Sequence, residues 1–252
     1  FNYVRKKKMI FLSTPFSRKA VDRLIKFGVS AFKLGSGEMN NLPLIDYIAK
    51  LKKPMIISTG MHSITNVRKL VSFLSKKKNK FALMHTTNLY PTPDKLVRLN
   101  SITELKKNFP NLVIGLSDHT ETNHSSIGAV ALGACIIEKH FVDKKSRKGP
   151  DIKSSIDEKN LKELIKGCNI VFLQRGGEKN LLKEEQVTRN FAFASVVSIK
   201  EIKNGEKLTQ KNIWVKRPGN GDFAASKYEK ILGKIAIKKI KKNTQIKKND
   251  IK

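Results

Sequence analysis

Six short apolar, β-branched runs recur along the chain, separated by segments with helical spacing, and this alternation limits the possible folds more than any other feature. The runs are residues 9–14 (MIFLST), 31–36 (AFKLGS), 54–59 (PMIIST), 81–86 (FALMHT), 112–118 (LVIGLSD) and 135–141 (CIIEKHF). Apolarity that is nearly continuous over about five residues marks a strand buried on both faces, and hence a parallel sheet. Between the runs, Ala20, Val21, Leu24 and Ile25 form one helical stripe. Ile64, Val67, Leu70, Val71 and Leu74 form another. Ser101-Ile102-Thr103-Glu104 and Ser155-Ile156-Asp157-Glu158 read as capping boxes, the second opening a helix through Leu161, Leu164 and Ile165. The pattern predicts an α/β fold with right-handed crossovers.

The polar residues decide between an open sheet and a barrel. Each run ends in functional side chains: Ser13-Thr14; Lys33, Ser36 and Glu38; Ser58-Thr59; His85 and Asn88; Ser117-Asp118-His119; and Glu138-Lys139-His140. An open doubly wound sheet concentrates chemistry at one switch point, whereas chemistry at every strand end is the mark of a TIM (β/α)8 barrel. Six units are two short of closure, so the expectation is a barrel whose first two strands lie upstream of Phe1. Beyond residue 173 the pattern changes. Residues 174–188 read as a polar linker and 189–252 as a small β-rich domain, leaving 1–173 as the barrel part. In the small domain, strands are expected at 191–197, 213–216 and 233–237, with turns at Lys203-Asn204-Gly205-Glu206 and Pro218-Gly219-Asn220-Gly221 and a short helix near 226–231.

Two constellations carry chemistry. His119 and His140 end consecutive strand–helix units, where two imidazoles can share one divalent ion and leave positions open for substrate and water. The alternative is a pair of hydrogen-bonded structural histidines. Thr14, Lys33, Ser36, Ser58, Asn88 and Ser117 supply short polar groups around a single ammonium, a set suited to a phosphate or carboxylate. Individually, such serines are also ordinary cap and turn residues. Glu38, in Gly35-Ser36-Gly37-Glu38, is an acid/base candidate beside that site or a solvent-facing loop carboxylate.

These motifs occur in the order found in a known family. Lys33-Leu34-Gly35-Ser36-Gly37-Glu38, Ser58-Thr59-Gly60-Met61, Tyr90-Pro91-Thr92-Pro93, Gly115-Leu116-Ser117-Asp118-His119-Thr120, Glu138-Lys139-His140-Phe141 and Gly149-Pro150-Asp151 resemble the bacterial sialic acid (N-acetylneuraminate) synthases. Phe191-Ala192-Phe193-Ala194-Ser195 and the stretch from Lys216 to Phe223 resemble their C-terminal antifreeze-like SAF (β-clip) domain. The resemblance implies condensation of phosphoenolpyruvate with N-acetylmannosamine, giving N-acetylneuraminate and phosphate. It implies Thr14, Lys33, Ser36, Ser58, Asn88 and Ser117 as phosphoenolpyruvate contacts, beside which Lys33 and Glu38 stand as the catalytic candidates. It implies His119 and His140 on Mn²⁺ or Mg²⁺, and Tyr90, Asp151, Phe191 and Arg217 on the sugar. The last two would act in a domain-swapped homodimer. Sister synthases of legionaminic or pseudaminic acid share the chemistry and differ in the hexose.

Composition removes other classes. A hydrophobic fraction of 39% excludes a disordered chain, and no apolar run approaches the roughly 20 residues of a membrane-spanning helix. Cys135 and Cys168 are too few for a disulfide scaffold and read as reduced thiols of a cytoplasmic protein. The net charge of +30 raises nucleic acid as a partner, and a non-catalytic basic binding protein is the alternative from another class. The excess is mostly dispersed Lys, however, whereas base and phosphate readout favours the Arg fork. The expectation is therefore no nucleic-acid partner and no membrane.

Overall fold

The computed structural model describes residues 1–252, in two compact units, Phe1–Gly177 and Glu178–Lys252. The first unit contains α1 (Asn2–Lys6), α2 (Arg18–Phe27), β1 (Phe32–Leu34), α3 (Leu42–Lys50), β2 (Met55–Ser58), α4 (Ile64–Lys76), β3 (Phe81–Thr86), α5 (Asn100–Asn108), β4 (Val113–Asp118), α6 (His124–Ala131), β5 (Ile136–Phe141), β6 (Ser155–Ile156) and α7 (Glu158–Gln174). All five strand pairs are parallel and follow chain order from β1 to β6. This is a TIM-type wall of six strands, curled but not closed on itself.

The helices form where the apolar stripes fall. Val21 and Leu24 of α2, and Val67, Leu70 and Leu74 of α4, are buried against the outer face of the sheet, and Ser17 and Ser63 cap the two N-termini. The alternation of side chains along each strand sorts the residues into two sets. Phe32, Leu34, Met55, Ile57, Leu83, Ile114 and Leu116 enter the helix-covered core. Lys33, Ser58, Thr86, Ser117, Glu138 and His140 have the opposite parity and face inward. Gly115 permits the closest approach between neighbours: a Cβ there would stand 2.5 Å from both the Ile136 carbonyl and the Met84 sulfur.

Several expected elements differ. Residues 9–14 are not a strand; the run is tied to β1 through the Lys33 N–H and the Ser13 carbonyl, 3.3 Å apart, and Met9 and Ile10 remain exposed. The sixth strand is instead β6, made from the residues read as a capping box. Ser155 pairs with His140, and Asp157 rather than Ser155 caps α7, accepting from the Asn160 N–H. The other expected box is absent too, because α5 begins at Asn100 and has no side-chain cap. Of the predicted α7 stripe, only Leu164 is buried.

The second unit packs a core of Val196, Ile202, Leu208, Ile213, Ile231, Ala236, Ile240 and Ile246. The expected strand at 191–197 begins only at Ser195, because α8 (Gln186–Ala192) runs through Phe191 and takes in part of the expected linker. β7 (Ser195–Ser198) pairs antiparallel with β8 (Ile213–Lys216). The segment 233–237 makes only isolated bridges, Lys207 with Ile235 and Ala236 with Ile251. A short helix, α9 (Tyr228–Ile231), follows the 3-10 turn Ala225–Lys227. No helix in the protein is long and apolar enough to cross a membrane.

Candidate active site

The inward set and the loops after the strands line one cavity of about 830 Å³ in the first unit. Thr14, Lys33, Ser36, Ser58, Asn88, Tyr90, Ser117, His119 and His140 all line it, so nine of the expected residues meet in one place. Inward parity explains Lys33, Ser58, Ser117, His119 and His140. Ser36 enters from the 3-10 turn Ser36–Asn40 that follows β1.

Lys33 organises the floor. Its Nζ donates to Ser58 Oγ at 2.8 Å and to the Leu34 carbonyl at 3.1 Å, and stands 3.5 Å from Glu138 Oε2. Ser117 Oγ donates to Glu138 Oε1 at 2.7 Å. Burial pushes the Lys33 ammonium below its usual range, while the Glu138 carboxylate works against that shift. A cation that is only partly compensated, among short hydroxyls, is a receptor for an anion.

Above it sit the two histidines, edge to face with ring centres 5.3 Å apart, and Tyr90 stacks on His119 at 4.1 Å. His119 Nδ1 meets the Thr87 carbonyl at 2.8 Å. A carbonyl only accepts, so Nδ1 carries the proton and the Nε2 lone pair is left free. Burial holds the ring below its ordinary range, toward the neutral form that binds metals. The fixed tautomer, the neutral ring and the adjacent second imidazole fit a divalent ion. No cluster of three or more His, Cys, Asp or Glu accompanies them, so such an ion would take its other ligands from substrate and water.

The strand ends are braced from behind. Lys139 and Asp118 form an ion pair at 3.0 Å with side chains only 3% and 1% exposed. Lys139 Nζ also donates to the carbonyls of Thr120 and Thr122. Asp118 accepts from the Thr120 N–H and from Ser126 Oγ of α6. Every atom of the pair has a partner, and the pair joins the backbone just before His119 to the backbone just before His140.

Two expected residues of the first unit stand aside from the lining. Gly35, Ser36 and Gly37 line the cavity but Glu38 does not; its Oε2 accepts from Asn41 Nδ2 at 3.1 Å, and Asn41 caps α3. The tight 3-10 turn carries the Glu38 side chain from the cavity to that helix end. Asp151, with a left-handed backbone at φ 62°, comes only to 3.9 Å of His140 Nδ1. Phe191 lies in the last turn of α8 and Arg217 follows β8, both exposed on the second unit. Glu138, which the sequence places at a strand end without marking a role for it, is the added member of the site. The available signal was parity: two residues before His140, it shares that residue's face.

Comparison with known proteins assigns this arrangement. Residues 1–180 match the NeuB family model, and residues 193–252 match the SAF domain. The chain belongs to the NeuB family. Among NeuB relatives, it is 42% identical over 248 residues to N,N'-diacetyllegionaminic acid synthase of Campylobacter jejuni, covering 97% of this chain and 74% of that protein. It is 34% identical over 252 residues to the pseudaminic acid synthase of the same species, covering 99% and 73%. The fold matches the crystal structure of a spore coat polysaccharide biosynthesis protein E from Chromobacterium violaceum, with a TM-score of 0.78 at 23% identity, over 100% of this chain and 76% of that one.

Proposed function

We propose that this NeuB-family protein condenses phosphoenolpyruvate with an acetamido hexose to give a nine-carbon keto acid and inorganic phosphate, and that the preferred hexose carries two acetamido groups. The observation that carries the reaction is the ammonium of Lys33, set among strand-end hydroxyls in the same cavity as two metal-competent imidazoles. The acceptor preference follows the synthases of diacetyllegionaminic and pseudaminic acid at 42% and 34% identity, in place of the N-acetylmannosamine first expected.

In this reading, Lys33, Ser58 and Ser117 hold the phosphoenolpyruvate anion, with Thr14, Ser36 and Asn88 completing its surround. His119 and His140 would hold Mn²⁺ or Mg²⁺, which supplies Lewis-acid polarisation of the sugar aldehyde. C3 of the enol forms the new bond to the aldehyde carbon, whose oxygen takes a proton to become a hydroxyl. Water adds at C2 and passes one proton to Glu138, which returns it to the new C–O⁻ group; the C2–O bond to phosphate then breaks, and phosphate leaves with the bonding pair and takes the remaining hydroxyl proton as the C2 ketone forms. Tyr90 beside the histidines supplies a flat wall for the sugar. The roles of Phe191 and Arg217 toward the acceptor, and the exchanged homodimer that goes with them, rest on the motif resemblance.

The test is release of inorganic phosphate from phosphoenolpyruvate by the purified protein, with a 2,4-diacetamido-trideoxy hexose or N-acetylmannosamine as acceptor. Turnover with the diacetamido sugar is expected to be at least about tenfold better in kcat/KM, the order of discrimination that one or two lost polar contacts give. Chelation is expected to abolish it and Mn²⁺ to restore it. Higher kcat/KM with N-acetylmannosamine returns the acceptor to the simpler sugar, and no phosphate release with either removes the reading.

The two carboxylates are separable. Glu138→Gln is expected to lower kcat by about 10²–10⁴-fold, the range of acid–base contributions, while Glu38→Gln chiefly loosens the α3 cap. Comparable kcat losses in both variants would bring Glu38 back beside the reacting atoms.

A further inference from the structure

Thr86 ends β3 on the inward face, is only 2% exposed, and its Oγ1 has no hydrogen-bond partner. The register sets it directly across from Ser117, and Met84 across from Ser58. Three successive strands therefore present Ser58, Thr86 and Ser117 on the same side of the wall, and all three line the cavity. The other two hydroxyls are engaged, Ser58 with Lys33 Nζ and Ser117 with Glu138. Only the middle one is unspent. Burying a hydroxyl without a partner is costly, and a valine of nearly the same shape would avoid that cost. A buried polar group left open in a substrate cavity is explained when the ligand supplies its partner.

We propose that Thr86 is a further substrate-binding residue, whose Oγ1–H donates to an oxygen of the anion held between Lys33 and Ser117. The inference rests on the phosphoenolpyruvate reading above and adds to it a contact that strand-end motifs did not mark. An anion offers only acceptors, so it needs donors; Ser117 spends its proton on Glu138 and Ser58 accepts from Lys33 Nζ, whereas Thr86 Oγ1 has no partner of either kind. The register runs from Thr86 through Ser117 to Glu138, whose carboxylate faces the Lys33 ammonium, so Thr86 belongs to that layer rather than to the sugar-facing rim marked by Tyr90.

The experiment compares Thr86→Val, which removes the hydroxyl and keeps the shape, with Thr86→Ser, which keeps the hydroxyl. Melting temperature is measured with and without phosphoenolpyruvate, together with KM for each substrate. Thr86→Val is expected to melt at or above the wild-type temperature without ligand, because an unpaired group has gone. It is expected to lose most of the phosphoenolpyruvate-induced rise and to raise KM for phosphoenolpyruvate by about tenfold, with KM for the sugar unchanged. Thr86→Ser should stay within about threefold of wild type. A Thr86→Val protein that keeps the wild-type ligand shift and KM overturns the assignment. So does one whose ligand-free melting temperature falls by several degrees, since the hydroxyl would then have an internal partner. Absence of any phosphoenolpyruvate-induced shift in the wild type would overturn the substrate reading itself, and this contact with it.

Discussion

Lys139→Met is expected to cost about 3–5 kcal/mol of folding stability, a large part of what a domain of this size possesses. The cause is the charge left behind. Asp118 is 1% exposed and would lose its only cationic partner while its remaining donors, the Thr120 N–H and Ser126 Oγ, stay in place. Solubility on expression and a urea melt measure the effect. The double variant Asp118→Asn/Lys139→Met should recover much of the loss, because an amide can be buried with hydrogen bonds alone. A single variant that melts like wild type would show that water reaches Asp118. Weaker Mn²⁺ binding should accompany the loss, since the pair ties together the backbone that carries His119 and His140.

Gly60→Ala is expected to reduce activity on the order of 10²-fold with little change in melting temperature, the size of effect that follows from misplacing a site by about 1 Å. A Cβ at residue 60 would stand 1.8 Å from Asn88 Oδ1 and 2.9 Å from Ser36 Oγ. No rearrangement confined to the alanine accommodates 1.8 Å, so Asn88 must leave its place in the cavity lining. The Gly60 N–H bond to Ser36 Oγ, 3.0 Å long, would be strained by the same shift. Steady-state kinetics and a thermal melt separate the outcomes: a raised KM for phosphoenolpyruvate with an unchanged melt supports the account. Adding Gly60→Ala to an Asn88→Ala background should cost far less than it does alone, because the clashing side chain is already gone. Full additivity of the two would show that the clash lies elsewhere.

Much of the fold and site could be read from the sequence because burial and chemistry share one period. Residues 112–118 are apolar on both faces and then end in Ser117 and Asp118, so strand and site declare themselves together. The reading failed where a local pattern has two physical outcomes. Residues 9–14 are as apolar as any strand, but apolarity does not say whether a neighbouring ladder is within reach. Ser155 has the spacing of a cap, yet pairing with His140 satisfies its backbone first. α8 carries no buried residue, so nothing in its pattern separates a helix from a polar linker. In the site, the failure was to weigh strand-end residues one at a time. Counting back in twos from His140 reaches Glu138, and from Asn88 reaches Thr86, while Glu38 shows that a carboxylate two residues past a cavity serine can be carried away by a tight turn.

The two-residue alternation of the wall also separates what the protein can change from what it must keep. Ile57, Leu83 and Leu116 face the helices, while Ser58, Thr86 and Ser117, one or three positions further along the same strands, face the substrate. A substitution in the second set alters a contact to the ligand without opening a void among the helices; one in the first set does the reverse. Descendants of such a chain can therefore adjust contacts to a bound ligand through inward positions at nearly constant stability. Repairs to a weakened fold can accumulate on the outer side without touching selectivity. A laboratory library aimed at the cavity should draw its variation from one parity and leave the other alone.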